Sequence, residues 1–340
     1  MPALIYIVYD DVRNTVFDSQ VLEPLKKRAK LHPYTRVIII SCQKTAPPAL
    51  WYQERDWGPV ELIIVPRTPF LGTIVLWITA YRVKKILNSL QSSYVLIARC
   101  PLAGVTARYA YNPALCIQFI QQARGLLYEE YLAIHARVDW RGRALKKVEQ
   151  KAYSPPPYPH AWEIESITPA LSHYLIENYS AQPHTITHAH IDIPTPIDIQ
   201  QKITWRKKIR AQLNITQQTC VYIINGSFQA WQTPAHAVAL IKAHQKRNSI
   251  APELCHILCL TPNPLPIQNY FLHHCPEIPY TVLHVPNNNI YCYLAAGDYG
   301  VVAREPGIVS WISRPVKALE YTAVHLPIIH NNTVQWLNIE

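Results

Sequence analysis

Polar side chains that could do chemistry follow apolar, strand-like runs near the end of the 340-residue chain. Arg304 and Glu305 come directly after the run at 299–303. Lys317 and Glu320 lie three residues apart, so a helix would place them on one face. Arginine and lysine side chains at such positions are the groups that bind phosphate or another anion. Without further evidence, an ordinary surface pair and one exposed arginine would explain the same residues.

Glycine is scarce, and its scarcity limits how the chain could bind phosphate. The sequence holds 9 glycines, where average usage would give about 24. Neither G-x-G-x-x-G nor G-x-x-x-x-G-K-[ST] occurs, which excludes the dinucleotide fingerprint and the Walker A loop. Gly226 and Ser227 stand at a predicted strand–helix junction. There a glycine allows close backbone approach and the following helix N-terminus can bind an anion.

The pattern around these residues predicts an α/β protein of two domains. Short β-branched runs alternate with amphipathic ones, which is typical of βα units with parallel sheets. A proline-containing segment at 190–200 marks the boundary, so we predict Rossmann-like, doubly wound domains at 1–194 and 195–340 that face each other across a cleft. Ligands of such sheets bind at the carboxyl ends of the strands. The predicted strands are 4–9, 36–41, 61–65, 94–98, 220–224, 256–261, 280–284, 299–303 and 327–329.

The segment from Tyr293 to Ile329 resembles the donor half of bacterial family 4 glycosyltransferases, which have the GT-B fold. Their pattern is a helix ending in Asp, a strand, an R-E pair, then S-P-V-K, E-Y-L-A and G-x-P-V-I. The residues that match it are Asp298, Arg304, Glu305, Ser313, Pro315, Val316, Lys317, Glu320, Tyr321 and Pro327. The run NGSFQAWQ at 225–232 resembles the family's G-S…W-Q loop, and ARCPLAG at 98–104 and ARGLLYEE at 123–130 match more loosely.

The resemblance implies a transferase that moves a sugar from a nucleotide-diphosphate sugar to a glycan or lipid-linked acceptor in cell-surface polysaccharide synthesis. Arg304 and Lys317 would bind the diphosphate, and Glu320 would accept hydrogen bonds from the ribose hydroxyls. Glu305 would either hold Arg304 in place or touch the transferred sugar. The resemblance also assigns Gly226, Ser227 and Ser313 to the donor site. It implies a retaining reaction.

No metal or other cofactor is expected. Metal-dependent GT-A transferases hold their ion on a D-x-D motif, and no two aspartates here are separated by one residue. Cations and backbone dipoles would then neutralise the diphosphate instead.

Three departures from the family keep a second hypothesis open. Ile97 stands where relatives carry the histidine of H-A-R, and Ser227 stands where many carry an arginine. The further strand and closing helices of the family are not found before Glu340, so the sequence is either truncated or a degenerate copy. The alternative is a catalytically degenerate GT-B protein that acts as a nucleotide-sugar binding or partner subunit.

The acceptor side is less well defined by the sequence. Arg99 and Arg124 each follow an alanine after strand-like runs and could pair with an anionic acceptor, although solvated surface arginines would fit equally. Asp10 ends the first predicted strand. It would either point into the cleft or cap its loop.

The formal net charge is +10, with 32 Lys and Arg against 22 Asp and Glu. Nucleic acid is not the expected partner, because it would need positive charge clustered with aromatics on one face and the basic runs in this sequence are short. An anionic membrane surface fits better: an apolar run at 69–81 leads directly into the basic cluster of a possible interfacial helix. A buried domain helix with a basic end is the alternative.

The sequence predicts a cytoplasmic protein, possibly attached peripherally to the inner membrane face. Met1 is followed by an apolar run that ends in two acids, without the basic start and small-residue cleavage site of a signal peptide. The eight cysteines mostly lie in apolar segments, as reduced buried thiols would. A zinc site around Cys255, Cys259 and Cys275 is disfavoured, because its spacing lacks C-x-x-C.

Overall fold

The β-branched runs form parallel strands in the computed structural model, which describes residues 1–14, 16–67, 73–155, 161–189 and 193–338. The chain divides into two compact units, Met1–Asp192 and Ile193–Glu340. Two predicted segments lie partly outside the described residues: the boundary segment at 190–200 and the start of the apolar run at 69–81.

In its described residues the first unit contains one parallel sheet of seven strands. These are β1 (Ala3–Val8), β2 (Val37–Gln43), β3 (Val60–Pro66), β4 (Tyr94–Arg99), β5 (Cys116–Ala123), β6 (Trp162–Ser166) and β7 (Ile186–His188). The helices are α1 (Glu23–Leu31), α2 (Ala49–Gln53), α3 (Thr73–Ser89), α4 (Cys100–Ala110), α5 (Leu127–His135), α6 (Trp140–Tyr153) and α7 (Pro169–Tyr179). The strand order is β3-β2-β1-β4-β5-β6-β7.

Helices cover both faces of this sheet, which explains why β1 and β2 are buried along their whole length. On one face, Ile5 and Ile7 of β1 share a core with Ala80 and Val83 of α3. On the other face, residues of β1 share a core with Leu25 of α1. The sequence prediction omits β5, β6 and β7.

The second unit repeats the arrangement with five described strands. Its elements are α8 (Ile199–Gln212), β8 (Cys220–Asn225), α9 (Pro234–Arg247), β9 (Cys255–Leu260), α10 (Pro264–His274), β10 (Tyr280–Leu283), α11 (Ile290–Leu294), β11 (Tyr299–Val302), α12 (Ile308–Trp311), α13 (Val316–Ala323) and β12 (Ile328–His330). The strand order is β10-β9-β8-β11-β12, all parallel. The order reverses between β8 and β11, and such a reversal is where open α/β sheets form a ligand crevice.

A partly buried charge cluster fixes the amino-terminal ends of the central strands of the second sheet. Asp298 pairs with Arg206 at 2.6 Å and with Arg210 at 2.7 Å, and it accepts a hydrogen bond from the Val221 backbone N–H. Arg210 is fully buried, and its Nε donates to the Ala296 carbonyl at 2.9 Å. These contacts join α8 to the starts of β8 and β11. Buried charges of this kind are tolerated only when paired and hydrogen-bonded.

The two central strands of the second sheet separate before their carboxyl ends. β8 pairs with β9 from Cys220 to Asn225, whereas its pairing with β11 stops at Ile223. Beyond the point where β11 stops pairing with β8, the hydroxyl of Tyr321 on α13 forms hydrogen bonds with the backbone of β8 instead. It accepts from the Asn225 N–H at 3.0 Å and donates to the Ile223 carbonyl at 3.2 Å.

Packing of the Tyr321 ring requires a glycine on β11. A Cβ atom at Gly300 would lie 2.4 Å from Cδ2 of Tyr321, closer than any real contact. Gly300 is therefore a site of close approach between α13 and the sheet.

We expect Tyr321→Phe to lower the free energy of unfolding of the second unit by about 1–3 kcal/mol, because it leaves a buried N–H and a buried carbonyl without their partner. Urea unfolding followed by tryptophan fluorescence measures this. Tyr280→Phe is the matched control, since the Tyr280 hydroxyl has no hydrogen bond within the described residues. A loss no larger than that of the control would contradict the bridging role.

Candidate functional site

The polar residues of the second unit meet at the crevice between β8 and β11. Asn225, the last residue of β8, donates from its side chain Nδ2 to Oε2 of Glu320 at 2.6 Å. Gly226 follows with φ +109°, a conformation that favours glycine. Its N–H bonds to the Leu260 carbonyl of β9. The turn after β8 thus brings the backbone of Gly226 and Ser227 beside α13.

Lys317, in the first turn of α13, is buried at this site with only 8% of its surface exposed. Within the described residues it forms neither an ion pair nor a hydrogen bond. Burial, together with the nearby positive charge of Arg304, lowers its pKa to about 7. A lysine in this situation attracts an anion, because a bound negative charge would offset both unfavourable effects.

Glu320, one turn further along α13, has the complementary perturbation. Burial raises its pKa to about 7, while the charge of Lys317 and the hydrogen bond from Asn225 oppose the rise. A carboxyl group with one oxygen held by an amide is suited to accept hydrogen bonds from a ligand's hydroxyls. Strongly perturbed pKa values of neighbouring groups in a crevice are typical of functional sites.

Arg304 follows β11, and its surroundings restrict where its guanidinium can lie. Nη1 donates to the Ser313 hydroxyl at 3.0 Å, and that hydroxyl donates to the Ser310 carbonyl at 2.7 Å. The Arg304 carbonyl accepts from Asn331 Nδ2 at 2.6 Å. The structure therefore places Ser313, predicted as a donor-binding residue, in contact with Arg304.

Glu305 connects the two loops that border the crevice. Its backbone N–H donates to the Trp231 carbonyl at 2.9 Å, and its carboxylate lies 3.3 Å from Nε2 of His236. The loop after β11 is thereby joined to the NGSFQAWQ loop and to the first turn of α9. Neither Asn225 nor His236 is among the site residues predicted from the sequence. Asn225 could have been selected because it is a polar residue at the end of a buried strand, whereas no sequence pattern pointed to His236.

The three predicted acceptor-side residues belong to the first unit and lie at the carboxyl ends of its strands. Asp10 follows β1, and its carboxylate accepts from the Asp11 N–H at 2.8 Å and from Asn14 at 3.0 Å, as a loop cap would. Arg99 ends β4 and donates to the Gln20 carbonyl.

Arg124, just after β5, belongs to a buried polar network. It pairs with Glu165 of β6 at 3.3 Å, and Glu165 also contacts Gln122 and Arg28.

The predicted ARCPLAG segment forms a sharp turn from β4 into α4. Cys100 has φ +66°, an uncommon value for a residue other than glycine. The side chain of Gln121 supports the turn by donating to the carbonyls of Ala98 at 3.2 Å and Cys100 at 3.1 Å. Strained backbone held in this way is often found at functional sites.

Among the described residues, no group of three or more His, Cys, Asp or Glu side chains is placed to hold a metal ion. In the same part of the chain, no helix combines the length and apolar character needed to cross a bilayer.

Solved structures that are similar to this chain include glycosyltransferases. A glycosyltransferase from Rickettsia africae ESF-5 has a TM-score of 0.65 at 13% identity, covering 98% of this chain and 80% of that one. WaaG, a glycosyltransferase involved in lipopolysaccharide biosynthesis, has a TM-score of 0.61 at 13% identity over 99% and 83%. A UDP-forming α,α-trehalose-phosphate synthase from Burkholderia vietnamiensis has 0.60 at 10% identity over 99% and 85%.

No protein-family model and no curated protein sequence matches the chain. The likeness in structure, at these identities, defines the fold. The prediction of two Rossmann-like, doubly wound units with the GT-B fold is confirmed.

We expect Lys317→Met to stabilise the ligand-free protein, because it removes a buried charge that has no partner. The Lys317 pKa in the folded state is about 7, below its value in the unfolded chain, so the cost of burial is largest below pH 7. The gain from the substitution should shrink as pH rises from 7 to 9, by up to about 1.4 kcal/mol per pH unit. Urea unfolding at pH 6, 7.5 and 9 tests this. A loss of stability at every pH would contradict it.

Proposed function

We propose that the protein is a glycosyltransferase that binds a nucleotide-diphosphate sugar at the crevice between β8 and β11. The observation that carries the proposal is the buried ammonium of Lys317, which lies close to Arg304 and has no ion pair or hydrogen bond within the described residues. Two neighbouring cations that raise each other's energy at a partly buried site are suited to a doubly charged diphosphate. The negative charge on that group grows as the glycosidic bond breaks, so cations at this position would stabilise the transition state more than the ground state.

The remaining residues of the crevice have roles that fit the same ligand. Glu320, oriented by Asn225, would accept hydrogen bonds from the ribose hydroxyls. The backbone of Gly226 and Ser227 would approach the phosphates. Ser313 would hold the guanidinium of Arg304 towards them.

We further propose a retaining reaction that needs no metal. The bond from the sugar to the phosphate oxygen breaks, and the bonding electrons leave with the diphosphate. The acceptor hydroxyl attacks the anomeric carbon from the same face and gives its proton to the leaving phosphate oxygen. Arg304 and Lys317 would neutralise the negative charge of the diphosphate, which a metal ion neutralises in other transferases.

The acceptor is proposed to be a glycan or a lipid-linked glycan of the cell surface. Support comes from similar structures: WaaG is involved in lipopolysaccharide biosynthesis, and WaaB is a lipopolysaccharide outer core galactosyltransferase. Asp10, Arg99 and Arg124 are the proposed acceptor-side residues. Of these, Arg124 has the weakest support, because Glu165 already neutralises part of its charge.

A catalytically degenerate partner subunit is the second candidate. The ion pair of Arg124 and the capping contacts of Asp10 favour it, because they leave less charge for an acceptor. Such a protein would bind nucleotide sugars without turnover.

The proposed attachment to an anionic membrane rests on one surface of the first unit, formed by α3, α4 and α6. We call it the basic aromatic surface. α3 packs on the core through Ala80, Val83 and Leu87, as the alternative of a domain helix expects. Its opposite side exposes Trp77 and Tyr81.

Basic side chains lie over the exposed rings of this surface. Lys85 lies 4.7 Å from the ring centre of Tyr81, Lys151 lies 4.0 Å from that of Tyr109, and the guanidinium of Arg141 lies 5.3 Å from that of Trp140. The basic residues of the three helices are Arg82, Lys84, Lys85, Arg108, Arg141, Arg143, Lys146, Lys147 and Lys151. Their one acidic residue, Glu149, is buried. Aromatic rings beside lysines and arginines are suited to the headgroup region of an anionic bilayer, and the inner membrane face is the proposed location.

The donor site is tested by thermal shift and calorimetry with UDP-, GDP-, ADP- and CMP-sugars in excess EDTA. We expect one nucleotide to be selected. Its affinity should fall at least tenfold in Lys317→Met and in Glu320→Ala, and less in the surface control Lys207→Met. Selective binding with transfer to an added acceptor extract would support the enzyme, and binding without transfer would support the partner subunit. Absence of selectivity, or binding only when Mn²⁺ is added, would overturn the corresponding proposal.

Membrane attachment is tested by pelleting with phosphatidylglycerol vesicles. We expect binding at 50 mM salt and release at 500 mM, because each basic residue near the surface contributes about 1 kcal/mol that salt screens. Lys84→Glu/Lys85→Glu should weaken binding more than tenfold. The matched control Lys207→Glu/Lys208→Glu changes the charge equally on exposed residues of α8. Equal effects of both pairs, or no pelleting at low salt, would exclude this surface.

A further inference from the structure

His236 is attached to Glu305 at the candidate donor site, and neither the proposed diphosphate contacts nor the ribose contact uses it. Its Nε2 lies 3.3 Å from Oε1 of Glu305. The backbone N–H of Glu305 is held separately by the Trp231 carbonyl at 2.9 Å. The carboxylate is therefore fixed through its backbone and through one of its two oxygens, while almost half of the Glu305 side chain remains open to solvent.

The imidazole of His236 is itself held from its other nitrogen. Thr233 caps the amino terminus of α9, and its hydroxyl accepts from the His236 backbone N–H at 3.5 Å. The same oxygen lies 2.6 Å from Nδ1 of His236. A hydroxyl that accepts from the backbone still has its own proton to donate to Nδ1. That arrangement leaves the imidazole proton on Nε2, directed at Glu305.

The relay from Thr233 through His236 to Glu305 occupies one oxygen of the carboxylate and leaves the other to accept hydrogen bonds. Sugar hydroxyls are hydrogen-bond donors, and a fixed carboxylate recognises them better than a mobile one, because less side-chain freedom is lost on binding. The diphosphate, in contrast, is repelled by a carboxylate. The chemistry of this corner of the site therefore suits the sugar and not the phosphates.

We propose that His236 is a positioning residue that orients Glu305 to bind hydroxyl groups of the transferred sugar. The inference rests on the proposed function, because it needs a nucleotide sugar in the crevice. It assigns sugar recognition to the Thr233–His236–Glu305 relay and nucleotide recognition to Lys317, Arg304 and Glu320. The two groups should therefore respond to different parts of the same ligand.

The test compares two ligands on one set of variants. Calorimetry measures Kd for UDP and UDP-glucose, for GDP and GDP-mannose, and for ADP and ADP-glucose; the pair that binds wild type is then used throughout. His236→Leu should lower the affinity for the sugar nucleotide about tenfold and change the affinity for the nucleoside diphosphate less than twofold. His236→Gln, which retains an N–H donor near the position of Nε2, should recover most of the loss.

Glu305→Ala should reproduce the His236→Leu pattern, and the double variant should lose no more than either single one, because both changes break the same contact. Glu305 is partly exposed, so this variant keeps the test available should His236→Leu fail to fold. Equal losses for both ligands would reduce His236 to a structural role and overturn the inference. Unchanged affinities, or no rescue by glutamine, would also overturn it. Failure of wild type to bind any nucleotide would instead overturn the proposed function on which it rests.

Discussion

The hydroxyl of Tyr321 is the contact on which the second unit's site depends. Parallel strands that separate leave backbone groups unpaired, and burying those groups without partners would cost several kcal/mol. Tyr321 satisfies the N–H of Asn225 and the carbonyl of Ile223, so β8 and β11 can separate within a buried sheet without leaving these two groups unpaired. The same helix, α13, then presents Lys317 and Glu320 at the crevice. One eight-residue helix thus both pairs the exposed backbone groups of the strands and supplies two side chains of the site. Gly300 allows this helix to pack closely against the sheet.

The site holds charged groups whose burial is electrostatically unfavourable, and a bound ligand of complementary charge would reduce that cost. Burial shifts the pKa values of Lys317 and Glu320 towards each other, to about 7. Neither group has the set of partners that a purely structural ion pair would have, in contrast to Asp298 with its two arginines and a backbone N–H. The second unit therefore contains two charge clusters of opposite character. The Asp298 cluster is paired and hydrogen-bonded and supports the sheet, whereas within the described residues Lys317 has no ion pair or hydrogen bond and Glu320 has only the hydrogen bond from Asn225.

The sequence predicted the repeated α/β architecture because buried parallel strands contain continuous apolar runs, as β1 does throughout and β2 does over its first four residues. It missed β5 and β6, whose buried residues include Gln121, Gln122 and Glu165, because a polar residue gives no strand signal until its tertiary partner is known. On α13, helical spacing was enough to put Lys317 and Glu320 on one face. His236 and Glu305 are 69 residues apart in the sequence. Their contact depends on the first turn of α9 meeting the loop after β11, and no local sequence pattern indicates it.

The cluster around Asp298 has a consequence for how the chain is divided. Helix α8 begins seven residues after the boundary between the units, yet Arg206 and Arg210 attach it to the starts of β8 and β11 through contacts made wholly within the second unit. The entry of the chain into this unit is therefore fixed by the unit's own residues. The contacts around Asp298 would therefore be retained if a different first unit were joined ahead of α8. In the transferase proposed above, such an exchange would replace the acceptor-side residues and keep the donor-side ones.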